Sequence, residues 1–161
     1  MRHKNSPKRI YLKDAIYFVT AKTKGNTDVF DSPSVASYLL QVIRCVEKYK
    51  HCHVFAYVLL PNHLHVLLQP KGKYTVSDFM HFVKRHFSRN IHILLRHRIV
   101  GEDGHPRLRR DGVWQSSFHD HLIRNQRDFN THIEYIRHNP VKYGIAKPEE
   151  HYPFVWVCDD C

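Results

Sequence analysis

Long apolar runs, cysteines and acidic residues are all scarce in this chain of 161 residues. The longest apolar run, residues 54–60, has the length of a strand, whereas a membrane helix needs roughly 18 apolar residues. The four cysteines are too few and too unevenly spaced for a disulfide framework. No apolar segment of the secretory type follows the basic N-terminus, so we expect a cytoplasmic protein.

The shortage of acidic residues leaves a strong positive charge. Lys and Arg number 25 against 15 Asp and Glu, which gives a formal net charge of +10 with histidine neutral. The hydrophobic fraction of 42%, with nine Tyr, nine Phe and two Trp, is enough for a packed core and excludes a disordered basic tail. A compact basic domain of this length predicts nucleic acid as the partner, because surplus cationic side chains neutralise phosphates.

The pattern of apolar residues predicts a strand, a helix, two strands, a helix, a strand and a last helix. The strands are expected at 16–24, 53–60, 63–69 and within 113–124, and the helices at about 33–50, after Thr75 or Ser77, and at about 126–138. Asn125 should cap the last helix and Pro140 should end it, leaving an irregular tail that packs back on the body. A β-α-β-β-α-β order is the ferredoxin-like pattern, an α+β fold whose antiparallel sheet carries two helices on one face. The added helix could cover the other face.

We therefore expect a basic N-terminal arm over residues 1–15, a single domain over 16–145 and a tail over 146–161 that packs on the domain. The chain shows no internal repeat and no low-complexity tract.

Three His-x-His pairs occur among the 15 histidines, at 51/53, 63/65 and 119/121. Residues two apart in a strand point to the same side, so each pair could present two imidazoles to one ion. His63 and His65 differ from the others because they would share the helix-free face amid apolar neighbours, where an imidazole needs a partner. The alternate residues of the same strand would enter the core: Leu64, Val66 and Leu68. His121 is a candidate accessory residue, with a structural role equally open.

Two imidazoles seldom hold a catalytic ion alone, so a third ligand is expected from another element. Tyr135 and Asn139 lie four residues apart and project from neighbouring positions on one side of the last predicted helix. A separate apolar stripe would dock that helix: Phe129, Ile133 and Ile136. By composition alone, Tyr135 as a packing tyrosine with a wet hydroxyl remains the open alternative.

Three segments resemble the single-tyrosine HUH transposases, especially the branch of REP-associated tyrosine transposases. They are PNHLHVLL at 61–68, WQSSFHDHLIR at 114–124 and IEYIRHNPVKYG at 133–144. HUH denotes two histidines that flank a bulky apolar residue, here Leu64, and the three motifs follow the family's order. The resemblance implies that Tyr135 is the nucleophile, that His63 and His65 bind a metal, and that Asn139 completes the site for Mg²⁺ or Mn²⁺. The ferredoxin-like fold inferred above is also the fold of that family.

The resemblance further implies a DNA transposase that nicks and rejoins single-stranded DNA, often flanked by a hairpin, through a 5′-phosphotyrosine. Such a protein would be nucleoid-associated when bound to DNA, and a homodimer is left open. Basic residues expected to hold the strand are Lys84, Arg85, Arg89, Arg107, Arg109, Arg110, Arg124 and Lys142. Two alternatives stay open: a catalytically idle ferredoxin-like nucleic-acid-binding protein, and a metal-dependent hydrolytic nuclease in which Tyr135 is structural.

Overall fold

The computed structural model describes residues 11–50, 52–96 and 112–159, with only the backbone for 92–96. Most of the predicted N-terminal arm, His51 and the arginine-rich segment before Gly112 therefore lie outside the described residues. Three of the arginines expected to hold DNA belong to that segment: Arg107, Arg109 and Arg110. In the described ranges, no helix is both long enough and apolar enough to cross a membrane.

A single antiparallel sheet and three α-helices make up the described part of the chain. The elements in chain order are β1 Tyr17–Lys22, α1 Pro33–Tyr49, β2 Cys52–Leu60, β3 His63–Pro70, α2 Val76–Arg96, β4 His119–Leu122, α3 Gln126–Lys142 and β5 Val155–Val157. The strands are ordered β4-β1-β3-β2-β5, and every neighbouring pair is antiparallel. The predicted α+β fold is confirmed: β1 to β4, with α1 and α2, form the ferredoxin-like β-α-β-β-α-β unit, to which α3 and β5 are added.

Polar side chains set where α2 and α3 begin. The Asp78 N–H donates to Thr75 Oγ1 at 3.2 Å, and the Thr75 N–H donates back to Asp78 Oδ2 at 2.9 Å, so Thr75 is the cap of α2. The Asp128 N–H donates to Asn125 Oδ1 at 2.9 Å, which confirms the predicted cap of α3. Ser32 precedes Pro33 at the start of α1, but its hydroxyl bonds the hydroxyl of another side chain instead of capping the helix.

Alternation along the strands divides the apolar residues between the two faces of the sheet. One face packs against α1 and α2 and receives the predicted core positions of β3, which are Leu64, Val66 and Leu68. The opposite face packs against α3, through Ala56, Val58, Leu60 and Leu67 of the sheet and Phe129, Ile133 and Ile136 of the helix. This confirms the predicted docking stripe of α3, and it leaves His63 and His65 on the α3 face of the sheet.

Two expectations for the C-terminal part were wrong. Pro140 does not end helix α3, which continues to Lys142. A proline in the last turn removes only one helical hydrogen bond, and the Tyr143 N–H donates to the Asn139 carbonyl at 3.1 Å. The tail also contains β5, which extends the sheet beside β2 and stacks Trp156 on Tyr57 with ring centroids 5.7 Å apart.

Candidate active site

His63 and His65 lie side by side on β3 with their rings nearly perpendicular and their centroids 4.8 Å apart. Their side chains are only 7% and 4% exposed. Nδ1 of His63 bonds Asn62 Oδ1 at 2.6 Å, and Nδ1 of His65 bonds Thr20 Oγ1 at 2.8 Å. An amide oxygen can only accept, so His63 Nδ1 carries the hydrogen and Nε2 carries the lone pair. Such outer hydrogen bonds orient imidazoles that ligate metals through the other nitrogen.

Both rings are held neutral. Burial, with a smaller contribution from Lys22, lowers the pKa of His63 to about 4. Burial, followed by the neighbouring His63, Lys22 and Lys142, lowers the pKa of His65 to about 3. At neutral pH the two side chains are therefore uncharged imidazoles, which is the protonation state that binds a metal ion.

Helix α3 brings Tyr135 and Asn139 over this strand. The Tyr135 ring lies edge-on to His65, with centroids 5.3 Å apart. Asn139 is completely buried, and neither atom of its side-chain amide has a hydrogen-bond partner. Nε2 of His65 is likewise buried without a partner. Buried polar atoms are nearly always satisfied, so the unpartnered Nε2 of His65 and the amide of Asn139 are atoms that a bound ligand would satisfy.

The atoms present fit a divalent cation. Two imidazole nitrogens and one amide oxygen are neutral ligands of the kind that Mn²⁺ and related transition ions accept, whereas Mg²⁺ prefers oxygen alone. The three residues predicted as ligands, His63, His65 and Asn139, are all buried polar residues.

Three further residues line this site that sequence reasoning did not single out. Phe18 stacks on His65 at 5.2 Å and touches the edge of Tyr135 at 5.8 Å. Lys22 is paired in register with His63. Tyr143 lies 5.4 Å from the His63 ring, and its hydroxyl interacts electrostatically with Tyr135. Of the three, only Tyr143 belongs to one of the sequence motifs. Phe18 and Lys22 lie at the site because of the register in which β1 pairs with β3.

Tyr143 is half exposed at the end of α3. Burial, together with the charge and hydrogen bond of Tyr135, raises the pKa of Tyr143 above its usual value. The Tyr143 hydroxyl therefore stays protonated and can donate to the oxygen of its neighbour.

The basic residues expected to hold DNA are distributed over both faces. Lys142 lies at the site, with Nζ 5.0 Å from the centre of the Tyr135 ring, and Arg124 is exposed between β4 and α3. Arg85 and Arg89 are exposed on α2, on the opposite side of the sheet. Two carbonyls anchor Lys84 at 2.9 and 2.8 Å, those of Gln115 and Ser117.

His121 does not join His63 and His65. It lies on the edge strand β4, in register with Phe18, and its ring stacks on His132 with centroids 4.9 Å apart. Phe18 separates the two groups, because it contacts His132 on one side and His65 on the other.

Comparison with known proteins gives one consistent result. The family described as Transposase IS200 like matches residues 12–139. The REP-associated tyrosine transposase of Escherichia coli K12 is 25% identical over 148 residues, which cover 91% of this chain and 79% of that protein. A Haemophilus influenzae relative, provisionally named as the same kind of transposase, is 26% identical over 91% of this chain and 82% of its own length. The solved structure of a REP-associated tyrosine transposase bound to a REP hairpin is similar with a TM-score of 0.69 and 25% identity, covering 94% of this chain and 81% of that one.

Proposed function

This chain belongs to the IS200-like transposase family, and we propose that it cleaves and rejoins single-stranded DNA with Tyr135 as the nucleophile. The observation that carries the proposal is the contact between the rings of Tyr135 and His65. Nε2 of His65 and the side-chain amide of Asn139 are also buried without hydrogen-bond partners. A packing tyrosine would not require unsatisfied polar groups beside it, since these destabilise the fold.

The reaction conserves the energy of the DNA backbone. The Tyr135 oxygen forms a bond to phosphorus as the bond from phosphorus to the 3′ oxygen breaks, and the phenolic proton ends on that 3′ oxygen. The products are a 5′-phosphotyrosine and a free 3′-hydroxyl. A 3′-hydroxyl of another strand can reverse the step and join DNA without a further energy source.

Neighbouring side chains orient the nucleophile and meet the charge of the phosphate. The Tyr143 hydroxyl interacts with Tyr135, and in this proposal it donates to the Tyr135 oxygen and orients it. The Lys142 ammonium lies 5.0 Å from the Tyr135 ring, where it can offset negative charge that develops during transfer. Phe18 packs against both Tyr135 and His65 and keeps their rings at a fixed spacing.

His63, His65 and Asn139 would hold the divalent ion in this proposal, and we expect Mn²⁺ to serve better than Mg²⁺ because two of the three ligands are imidazoles. A bound ion supplies positive charge that polarises a non-bridging oxygen of the scissile phosphate. The chain itself contributes two neutral histidines whose outer nitrogens are already fixed by Asn62 and Thr20.

Hairpin-flanked DNA is the proposed substrate. A solved relative is bound to a REP hairpin, and the present chain carries a net charge of +10 for phosphate contact. Lys22, Arg124 and Lys142 would contact the strand near the nucleophile. Arg85 and Arg89 would contact a more distant part of the DNA, because α2 lies on the opposite face of the sheet.

A covalent-adduct assay tests the proposal. A single-stranded library with a hairpin and randomised flanks is labelled at its 3′ end and incubated with the full chain and Mn²⁺, and protein-linked label is separated on a denaturing gel. We expect an adduct that Tyr135→Phe abolishes and that the control Tyr49→Phe leaves intact, since Tyr49 is exposed on α1.

Three outcomes would contradict the proposal. Cleavage that persists without an adduct in Tyr135→Phe would instead indicate a hydrolytic nuclease. DNA binding by the wild type with no cleavage under Mn²⁺ or Mg²⁺ would indicate an idle binding protein. An adduct mapped by mass spectrometry to a residue other than Tyr135 would assign a different nucleophile.

A further inference from the structure

A second cluster of metal-ligating side chains lies where β4 meets α3. Nε2 of His121 is 3.0 Å from Asp128 Oδ2, and Nδ1 of His132 is 3.2 Å from Asp128 Oδ1. In the described part of the chain, this is the one group of at least three His, Cys, Asp or Glu side chains whose ligand atoms all lie within 4.8 Å of one another.

Local structure brings the three side chains together. The Asn125 cap places Asp128 in the first turn of α3, and His132 follows one turn later on the same side of the helix. The edge strand β4 supplies His121, whose ring lies nearly parallel to that of His132, at 22°. The Arg124 N–H also donates to Asp128 Oδ2 at 3.0 Å, so the carboxylate is held in one orientation.

We propose that His121, Asp128 and His132 form a second cation site, separate from His63, His65 and Asn139, and suited to Zn²⁺ or a similar transition-metal ion. Zinc binds imidazole nitrogen and carboxylate oxygen at about 2.0–2.2 Å, so two ligands at a tetrahedral angle lie roughly 3.3–3.5 Å apart. The observed nitrogen–oxygen separations of 3.0 and 3.2 Å are a few tenths of an ångström shorter. Because an imidazole binds a metal ion in the plane of its ring, the stacked rings of His121 and His132 must also turn so that both nitrogens point at the ion.

The ligand chemistry distinguishes this site from the first one. Its carboxylate carries a negative charge, whereas the ligands beside Tyr135 are all neutral, so the second site attracts a cation more strongly. The His121 side chain is 41% exposed, which leaves a route for the ion and room for water as a fourth ligand. Nδ1 of His132 also bonds the Asp128 carbonyl at 2.8 Å, and this hydrogen bond is given up if the ion takes that nitrogen. We therefore expect dissociation constants on the order of micromolar instead of nanomolar.

A bound ion would tie the first two turns of α3 to the edge of the sheet. The ring of His132 contacts Phe18 at 4.6 Å, and Phe18 contacts both His65 and Tyr135. The ion would thus act as a positioning group for the helix that carries Tyr135. The proposal does not depend on Tyr135 being the nucleophile, because cation binding at this cluster can be measured without DNA.

The test is a titration of the metal-free full-length chain with Co²⁺ and then Zn²⁺. The titrated protein carries His63→Ala and His65→Ala, so that the first site cannot bind. We expect one equivalent of Co²⁺ with the visible absorption of a tetrahedral ion, displacement by Zn²⁺, and a higher melting temperature with Zn²⁺. His121→Gln and Asp128→Asn should each weaken binding at least tenfold, whereas His119→Ala and His138→Ala should not, since both residues are exposed and lie on the same two elements.

Folding of each variant is checked by circular dichroism, and His121→Gln is the decisive one because its partly exposed side chain can be replaced without opening the core. If His63→Ala and His65→Ala unfold the chain, the stoichiometry of the wild type is compared with that of His121→Gln, and a loss of one Zn²⁺ per chain is expected. Absence of tetrahedral absorption, or affinity unchanged by both His121→Gln and Asp128→Asn, would overturn the proposal and leave a hydrogen-bonded structural cluster.

Discussion

Replacing Asn139 by leucine should make the metal-free protein more stable while slowing the formation of the covalent DNA adduct. Asn139 is completely buried in α3, and its Oδ1 and Nδ2 have no hydrogen-bond partner. Each unsatisfied buried polar group costs about 1–3 kcal/mol, and an apolar side chain of the same branching removes that cost. The larger methyl groups of leucine oppose part of the gain, since overpacking a core costs about 1–3 kcal/mol. The two groups of Asn139 together cost about 2–6 kcal/mol. Subtracting the overpacking leaves about 1 kcal/mol from the low ends of the two ranges and about 2 kcal/mol from their midpoints, so we expect the free energy of unfolding in EDTA to rise by about 1–2 kcal/mol.

The expected gain is measurable by thermal or urea unfolding. For a chain of this size, 1 kcal/mol shifts the melting temperature by roughly 2–4 °C, so Asn139→Leu should melt about 2–8 °C higher in EDTA. Addition of Mn²⁺ should stabilise the wild type by mass action and the variant much less, so that the difference between them shrinks. The same variant should lose at least tenfold in the rate of adduct formation.

Asn130→Leu is the matched control because Asn130 is exposed on the same helix. It has the same change in helix propensity, a few tenths of a kcal/mol, without any change in buried polar atoms. Asn139→Ala separates overpacking from polarity, since it removes the amide without adding volume. If both Asn139 variants are less stable than the wild type in EDTA, the amide makes a favourable interaction and the reasoning fails. Equal stabilisation of the wild type and Asn139→Leu by Mn²⁺ would show that the amide is not a ligand.

Three other predictions concern the same site. In EDTA, the free energy of unfolding should be nearly constant between about pH 6.5 and 8. Below pH 6.5 it should fall by up to about 1.4 kcal/mol per pH unit for each of His63 and His65, because the unfolded chain binds protons that the buried rings exclude until about pH 4 and about pH 3. A flat urea-unfolding profile from pH 7 to about 4.5 would contradict their burial as neutral groups. Tyr143→Phe should slow single-turnover adduct formation about tenfold with DNA affinity unchanged, because it removes the hydroxyl that interacts with Tyr135, the proposed nucleophile. An unchanged rate would exclude an orienting role. Lys142→Gln should slow cleavage and should reduce the salt dependence of DNA binding by about one phosphate contact. Lys147 is an exposed lysine beyond α3, so the control Lys147→Gln should change the salt dependence less. Equal effects of the two substitutions would indicate only a diffuse contribution of charge.

Much of the fold was predictable because periodicity acts locally. In β3, period-two alternation sends Leu64, Val66 and Leu68 to one face, so His63 and His65 must occupy the other. No detail of the surroundings is needed for that conclusion. The cap and the apolar stripe of α3 are equally local, and they determine where the helix starts and which side docks.

The predictions from sequence were wrong at positions where contacts with distant parts of the chain override a local sequence pattern. Pro140 ends helices by removing a hydrogen bond, but here it sits in the last turn and is buried, so packing retains the helix to Lys142. The three residues of β5 carry too little pattern to predict a strand, and pairing with β2 is what forms it.

The sequence by itself therefore determined the order of the elements as far as α3, the face on which the histidine pair lies and the placement of Tyr135 and Asn139 on one side of a helix. Only the tertiary structure decided that Lys22 lies beside His63, that Tyr143 lies beside Tyr135, and that two separate polar clusters flank Phe18. The physical reason is that positions within one element follow from backbone geometry, whereas distances between elements depend on strand register and on how the core packs.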